Sequence, residues 1–334
     1  MSLQRSEEAP NVSGTRVVIT GGAGFIGSHV VQRLAALGAT VTILDDLDPW
    51  YSPARKRRNL DELVAIAGVD AIEGDAARTA VDHFGDADIV IHLAGRPGVQ
   101  DSWGPGFTDS SRRNIELSQT IFEEALAAGV GRVVYASSSS IYGTTATEDG
   151  DRIASPVSPY GVSKLAGEQL AGVYRERGLD IVSLRYFTVY GPRQRPDMAM
   201  YRMFAACMAG LEDVFVRRGD GLQRREFTYV GDIADATIAA ALMPDAANHT
   251  FDLGGGSSTD LASVMRRVES ITGCDMRMVP RPASEGDPRA TVADITDARR
   301  VLGWSPRVSL EEGLRAQWAW QSAQAPDDSV IALS

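Results

Sequence analysis

Arg16-Val17-Val18-Ile19-Thr20-Gly21-Gly22-Ala23-Gly24-Phe25-Ile26-Gly27 is the stretch that decides the fold. Its first five residues form a short apolar, β-branched run, the pattern of a strand buried on both faces of a parallel sheet. Glycines at 21, 24 and 27 come next, and a helical pattern begins at once. Ile26, Val30, Leu34 and Leu37 fall roughly on one side of it, and Gly38 ends it. Strand, glycine turn and helix in succession is the context that turns a glycine pattern into a dinucleotide site. Gly21, Gly24 and Gly27 allow the tight turn, close approach of backbone to a pyrophosphate, and close helix–strand packing. The pyrophosphate then meets free N–H groups at the helix start, around Phe25 and Ile26.

The next strand, Thr40–Leu44, ends at Asp45-Asp46. Asp45 stands where a carboxylate accepts hydrogen bonds from adenosine ribose hydroxyls and repels a 2′-phosphate, so NAD is expected over NADP. Val69–Glu73 reads as a third strand, placing Asp75 near the adenine. Asp88–Leu93 is a fourth, and the small-residue turn Ala94-Gly95-Arg96-Pro97-Gly98 after it suits a place against the cofactor. Asn114 opens a helical stretch to about Ala128, Arg132–Ala136 is a fifth strand, and Ile181–Arg185 a sixth. Strands alternating with helices of about 15 residues specify an α/β fold with a doubly wound parallel sheet.

Ser137–Ser140 follow the fifth strand, and Tyr160-Gly161-Val162-Ser163-Lys164 follows them. At i and i+4 on a helix, Tyr160 and Lys164 leave the same face. A phenol with an ordinary pKa of about 10 is a poor base at neutral pH. An ammonium beside it is expected to bring that value down. Lys56 and Lys164 are the chain's two lysines among 33 Lys and Arg residues, so a plain surface cation at 164 would more naturally be arginine.

Bulk properties exclude several classes. A net charge of −11 argues against nucleic acid as the main partner. There is no apolar stretch of about 18 residues to span a membrane. Residues 1–14 are polar, lack the apolar core of a signal peptide, and are expected to form a loose tail. Cys207 and Cys274, far apart in sequence, suggest a reducing cytoplasm, and His29, His83, His92 and His249 make no metal-ligand pattern. The basic run Arg55-Lys56-Arg57-Arg58 reads as a solvated loop or helix start.

TGGAGFIGSH, ILDDL, HLAG, YASSSSIYG, YGVSK and RYFTVYGPRQRPDMA, in this order, resemble the extended short-chain dehydrogenase/reductase family, and within it the NAD-dependent nucleotide-sugar epimerases and dehydratases. The likeness spans roughly residues 15–320. It implies a Rossmann domain, a smaller C-terminal domain for the nucleotide sugar, tightly held NAD and a homodimer built on the 114–128 and 160–176 helices. The expected division is 15–185 plus 227–253 for the NAD domain and 186–226 plus 254–330 for the sugar domain. One helix of the latter is expected to start from Thr259 as N-cap and another from a Ser309-x-x-Glu312 capping box.

By that resemblance Ser138 assists Tyr160 and Lys164 in catalysis. Leu93, Ala94, Gly95, Asn114 and Tyr186 join the glycines and aspartates around NAD. Pro97, Ser138, Ser139, Ser140, Thr188, Arg195, Arg225, Asp287 and Arg289 face the nucleotide sugar. The family's arginine three residues before Asp287 is Ser284 here, with Arg281 or Arg289 to replace its charge. Dehydratases and decarboxylases of the family carry an acid where this chain has Ser140. The stretch Arg185–Met198 is similar to the UDP-glucuronate 4-epimerases, with Thr188 and Arg195 at the sugar end, although the family's second arginine is Gln100 here. The expected reaction is 4-epimerisation of a UDP-sugar, UDP-glucuronate foremost. UDP-glucose or UDP-N-acetylglucosamine epimerisation stands next, then uronate decarboxylation or 4,6-dehydration. A non-enzymatic NAD-binding module would be expected to lack Tyr160, Lys164 or Ser138.

Overall fold

A computed structural model of the chain describes residues 12–147, 152–209 and 214–324. The opening run is β1 (Arg16–Thr20), and α1 (Phe25–Ala36) leaves directly from Gly24. Alternation continues through β2 (Thr40–Asp45), α2 (Pro53–Val64), β3 (Val69–Glu73), α3 (Ala76–His83) and β4 (Ile89–His92). Then come α4 (Gly106–Ser111), a π-helical turn at Arg112–Glu116, α5 (Leu117–Ala128), β5 (Arg132–Ser138), α6 (Pro159–Glu176) and β6 (Ile181–Tyr186). The later part holds β7 (Thr188–Tyr190), α7 (Ala199–Ala209), β8 (Phe215–Arg218), β9 (Arg224–Tyr229), α8 (Val230–Leu242) and β10 (Thr250–Leu253). It closes with β11 (Ser258–Asp260), α9 (Leu261–Thr272), β12 (Met278–Arg281), α10 (Thr296–Leu302) and α11 (Leu310–Ser322).

Seven strands form one parallel sheet in the order β10-β6-β5-β4-β1-β2-β3. Side chains alternate between its faces. Val17, Ile19, Ile43, Val134 and Leu184 pack towards α1 and α8, while Val18, Leu44, Val90, Val133 and Ile181 meet the layer holding Ile121 and Phe122 of α5. The order reverses between β1 and β4, so a crevice opens there at the carboxyl ends of the strands. A smaller core of Tyr190, Met203, Phe204, Phe215, Val264, Val268 and Leu314 joins α7, α9 and α11. Two small sheets, β11-β9-β7 and β12-β8, belong to this part.

Several details differ from the sequence reading. Residues 1–11 lie outside the described residues, but Val12, expected in a loose tail, is buried in the large core. The helical stretch expected from Asn114 begins at Gly106 and passes through the π turn. The N-cap of α9 is Asp260, which accepts from the Ser263 N–H at 2.7 Å, while Thr259 pairs with Arg225 in the small sheet. Ile295, Ala298, Val301, Leu302 and Trp304, from the stretch assigned to the sugar domain, pack in the large core beside α8. The Ser309–Glu312 capping box is present. Cys207 and Cys274, distant in sequence, both pack against the smaller core, between α7 and the end of α9, and both are free.

Candidate active site

The crevice is a cleft of about 570 Å³ running from the glycine turn past β5 to the loop before α7. Its middle is set by two neighbouring elements. β5 delivers Ser138 at its last residue, and α6 starts from Ser158, whose hydroxyl accepts the Gly161 N–H at 3.1 Å, with Pro159 pre-set for the first turn. The Ser102 hydroxyl accepts the Tyr160 N–H at 3.0 Å, which further fixes this end. Tyr160 and Ser138 thus face the same part of the cleft, with the Ser138 hydroxyl near enough to act on the phenol.

Burial pushes the Tyr160 phenol up, and the Ser138 hydroxyl and the nearby Arg195 charge pull it back. The expectation that Lys164 is the group lowering Tyr160 is corrected here. Its ammonium donates to the Ala136 carbonyl at 2.8 Å and lies 5.4 Å from the centre of the Tyr135 ring. Lys164 is itself buried, which pulls its pKa down to about 8 against the upward pull of Glu168 one turn on. The cation is therefore held at the cleft floor, directly below the 94–97 turn. A Cβ at Gly95 would sit 3.4 Å from its Nζ.

At one end the chain makes a cradle of backbone. Gly21 has φ +75°, and a Cβ there would stand 2.7 Å from the Ala94 nitrogen; one at Gly27 would stand 2.2 Å from the Gly21 carbonyl oxygen. The α1 N-terminus has no side-chain cap, so its N–H groups face the cleft unclaimed by a side chain. Asp45 is buried and accepts from the Ala23 N–H at 3.0 Å and the Leu47 N–H at 2.9 Å; burial raises its pKa against the pull of Lys56. Asp75 lines the cleft and caps α3 through the Ala77 N–H at 3.0 Å. These groups fit a dinucleotide: a turn a side chain would fill, free helix N–H groups and a carboxylate beside them.

Phe25, Ile26, Asp46, Leu93, Ala94 and Tyr186 line the same space. Asn114 does not: it is buried, accepts the Arg96 N–H at 2.8 Å and donates to the Arg96 carbonyl and the Ser163 hydroxyl, both at 2.9 Å. It braces the 94–97 turn against α6 from behind. The basic run at 55–58 is only half solvated. Arg57 and Arg58 are exposed, whereas Arg55 lies over the Tyr201 ring at 4.6 Å and Lys56 donates to the Asp48 carbonyl at 3.0 Å.

The other end is built from side chains. Pro97, Ser139, Ser140, Thr188, Arg195 and Asp287 all line it. Arg195 forms a two-point ion pair with Asp197, both contacts at 3.0 Å. Arg225 does not reach the cleft lining but is ion-paired with Asp287. Arg289 is exposed and paired with Asp220 at 2.8 Å, away from the lining, and Arg281 is exposed on β12. Neither lines the cleft. Gln100 donates to the Glu285 carbonyl at 3.1 Å, tying the two parts of the chain across the cleft mouth.

Sequence reasoning missed Asp48, Trp50, Tyr51, Arg96, Arg113 and Asp197, all in the lining. Asp48 is the hub of this group, paired with Arg113 at 2.5 Å and Arg96 at 3.3 Å. The available signal was the aromatic pair Trp50-Tyr51 only a few residues beyond the ribose carboxylate.

The model of the NAD dependent epimerase/dehydratase family matches residues 17–254. A UDP-glucuronate 4-epimerase of Thermodesulfobacterium geofontis is 34% identical over 316 residues, 91% of this chain and 95% of that one. YtcB of Bacillus subtilis, described as an uncharacterized UDP-glucose epimerase, is 34% identical over 312 residues, 92% of this chain and 98% of that one. Among solved structures, the UDP-glucuronic acid 4-epimerase of Bacillus cereus in complex with UDP-glucuronic acid and NAD superposes with a TM-score of 0.88 at 34% identity, covering 92% of this chain and 99% of that one.

Proposed function

We propose a function from one premise: the chain belongs to the NAD dependent epimerase/dehydratase family. Within it, the protein is an isomerase that inverts C4 of a UDP-sugar, UDP-glucuronate to UDP-galacturonate, through a 4-keto intermediate. The observation that carries the reading is the cleft itself. Ser138, Tyr160 and Lys164 meet in its middle, hydroxyls occupy positions 139 and 140, and a guanidinium, Arg195, lines the sugar end. Elimination or decarboxylation needs an acid beside Ser138, and none stands at those positions.

Tyr160 takes the proton of the sugar 4-hydroxyl while the Ser138 hydroxyl holds the same oxygen, and Tyr160 returns the proton after the ring has turned over. Lys164 keeps positive charge beneath this exchange. The Gly21–Gly27 turn, with Asp45 at the ribose, would hold NAD, which would supply the hydride acceptor and donor for C4. Arg195 with Thr188, Ser139 and Ser140 holds the uronate carboxylate, keeping the C5–C6 bond near the carbonyl plane so that the β-keto acid retains CO2. Arg225 and Asp287 serve the nucleotide side, and Asn114 serves NAD through the 94–97 turn.

A homodimer through the 114–128 and 160–176 helices belongs to the same reading, supported by Val162 and Val173, 46% and 58% exposed on α6. So does a cytoplasmic setting, supported by two free cysteines. The division at 186, 227 and 254 into NAD and sugar domains is likewise a proposal, with residues 295–304 contributing to the larger part.

Neutral-sugar epimerisation is the second reading, favoured by Asp197 already neutralising Arg195. Purified enzyme offered UDP-glucuronate, UDP-glucose and UDP-N-acetylglucosamine decides between them. Conversion of UDP-glucuronate to UDP-galacturonate with little UDP-pentose is expected; faster turnover of UDP-glucose overturns the uronate assignment.

A further inference from the structure

Arg195 arrives at the cleft on the segment between β7 and α7, outside any regular element. Two contacts hold its guanidinium. Asp197 takes Nε and Nη2 in the plane of the guanidinium, at 3.0 Å each. The Trp50 ring lies beneath its face, 5.2 Å from ring centre to Cζ. Among the described residues Nη1 has no hydrogen-bond or ion-pair partner. An in-plane carboxylate fixes where the fork points, and an aromatic face fixes its tilt.

Trp50 is itself anchored. Its backbone N–H donates to the Asp48 carboxylate at 2.8 Å, and Asp48 is held by Arg113 at 2.5 Å and Arg96 at 3.3 Å. The Arg96 guanidinium also lies over the indole, at 4.7 Å. Gly98 packs so closely that a Cβ there would stand 3.4 Å from Trp50 Cζ2. The loop from Asp45 to Tyr51 therefore runs from the ribose carboxylate to the back of the sugar-end arginine.

We propose that Trp50 and Asp197 are positioning residues for Arg195, holding it preset so that its free Nη1 edge meets the substrate carboxylate in one orientation. This rests on the uronate reading above. An arginine side chain has many rotamers, and ordering it before the ligand arrives removes that entropy cost from binding. Orientation matters more than affinity here. The 4-keto uronate loses CO2 when its carboxylate rotates out of the carbonyl plane, so a loose guanidinium shows as pentose in the product.

The test uses the NAD-loaded enzyme with UDP-glucuronate and compares Trp50→Ala, Trp50→Phe, Asp197→Asn, Arg195→Ala and the double variant Trp50→Ala/Arg195→Ala. The readouts are the ratio of UDP-pentose to UDP-galacturonate and the NAD bound per chain. Trp50→Ala and Asp197→Asn should each raise the ratio about fivefold, the effect of losing one cation–π or charge-assisted contact. Trp50→Phe, which keeps a ring face, should restore it. The double variant should leak no more than Arg195→Ala, because the indole acts through the arginine. NAD content should stay at the wild-type level throughout. If Arg195→Ala leaks while Trp50→Ala and Asp197→Asn match wild type, the positioning role is wrong and the clamp stands. If Trp50→Ala loses NAD and Trp50→Phe fails to rescue, the indole merely holds the loop together and the proposal falls. Wild-type product ratios in Arg195→Ala remove the clamp reading and this inference with it.

Discussion

The two ends of the cleft are made of different material. The dinucleotide end is almost all backbone: a glycine turn, a helix start and one buried carboxylate whose oxygens are already held by the Ala23 and Leu47 N–H groups. The sugar end is a set of side chains from separate segments, and most of its charges have partners within the chain, Arg195 with Asp197 and Arg225 with Asp287. A backbone site is fixed by folding and recognises what every dinucleotide shares. A site of mutually engaged side chains is tunable, because each residue that meets the ligand is oriented by another side chain that can be changed separately.

Tyr160 sits between the two ends, and its removal should break neither. Tyr160→Phe is expected to lower turnover by about a thousandfold or more while both NAD and nucleotide sugar still bind, since the hydroxyl acts in the transition state. Near-normal turnover in that variant would remove Tyr160 from the chemistry altogether.

Asp45→Ala should break the dinucleotide end alone. It removes the ribose acceptor and leaves the Ala23 and Leu47 N–H groups unpartnered, at about 1–3 kcal/mol for each orphaned group. NAD affinity should fall by one to two orders of magnitude, with NADP affected far less. Calorimetry finding that the wild type prefers NADP would reverse the role given to Asp45.

The smallest effect is a shift along the pH axis. Burial sets Lys164 near about 8, so its charge is present below that pH and fades as pH rises through it. An alkaline fall in kcat/KM near pH 8 is expected. Glu168→Gln, which deletes the carboxylate that props the ammonium up, should move the fall to lower pH. Stability should run the other way: the folded value lies below the ordinary 10.5, so the unfolded chain binds the extra proton between the two values and the fold gains as pH rises. A kcat/KM profile unmoved by Glu168→Gln would show that the limb belongs to another group.

The contrast between the ends also explains what the sequence could tell. β1, the glycine turn, α1 and Asp45 are contiguous, so their geometry is legible from spacing. So are Ser138, Tyr160 and Lys164, each at the end or start of a regular element. Arg195 and Thr188 were legible only through likeness to a family. Trp50 and Arg96 were not legible, because their meaning lies in contacts across 46 and 145 positions of chain, Arg96 with Trp50 and Trp50 with Arg195, and Asp197, two residues from Arg195, stands in no pattern that marks it. The bonds of Asn114 were not legible: it lies in a π turn, invisible to a 3.6-residue pattern, and is bonded to Arg96 and Ser163 behind the cleft. Lys164 lines the cleft, but its neighbours were not foreseen, since the Ala136 carbonyl reaches it from β5.

The large sheet is finished late. β6 ends at Tyr186, yet its partner β10 begins at Thr250, and Val301, Leu302 and Trp304 of the covering layer come later still. On a ribosome adding about 5–20 residues per second, the roughly 120 residues between Tyr186 and Trp304 take about 6 to 24 s to appear. Until β10 has been made, the nascent chain carries β6 as an open parallel edge, the kind of surface on which a second chain adds a strand. Early folding of the first half therefore exposes the molecule to misassembly, and a chain broken off between 186 and 250 would keep that edge for good.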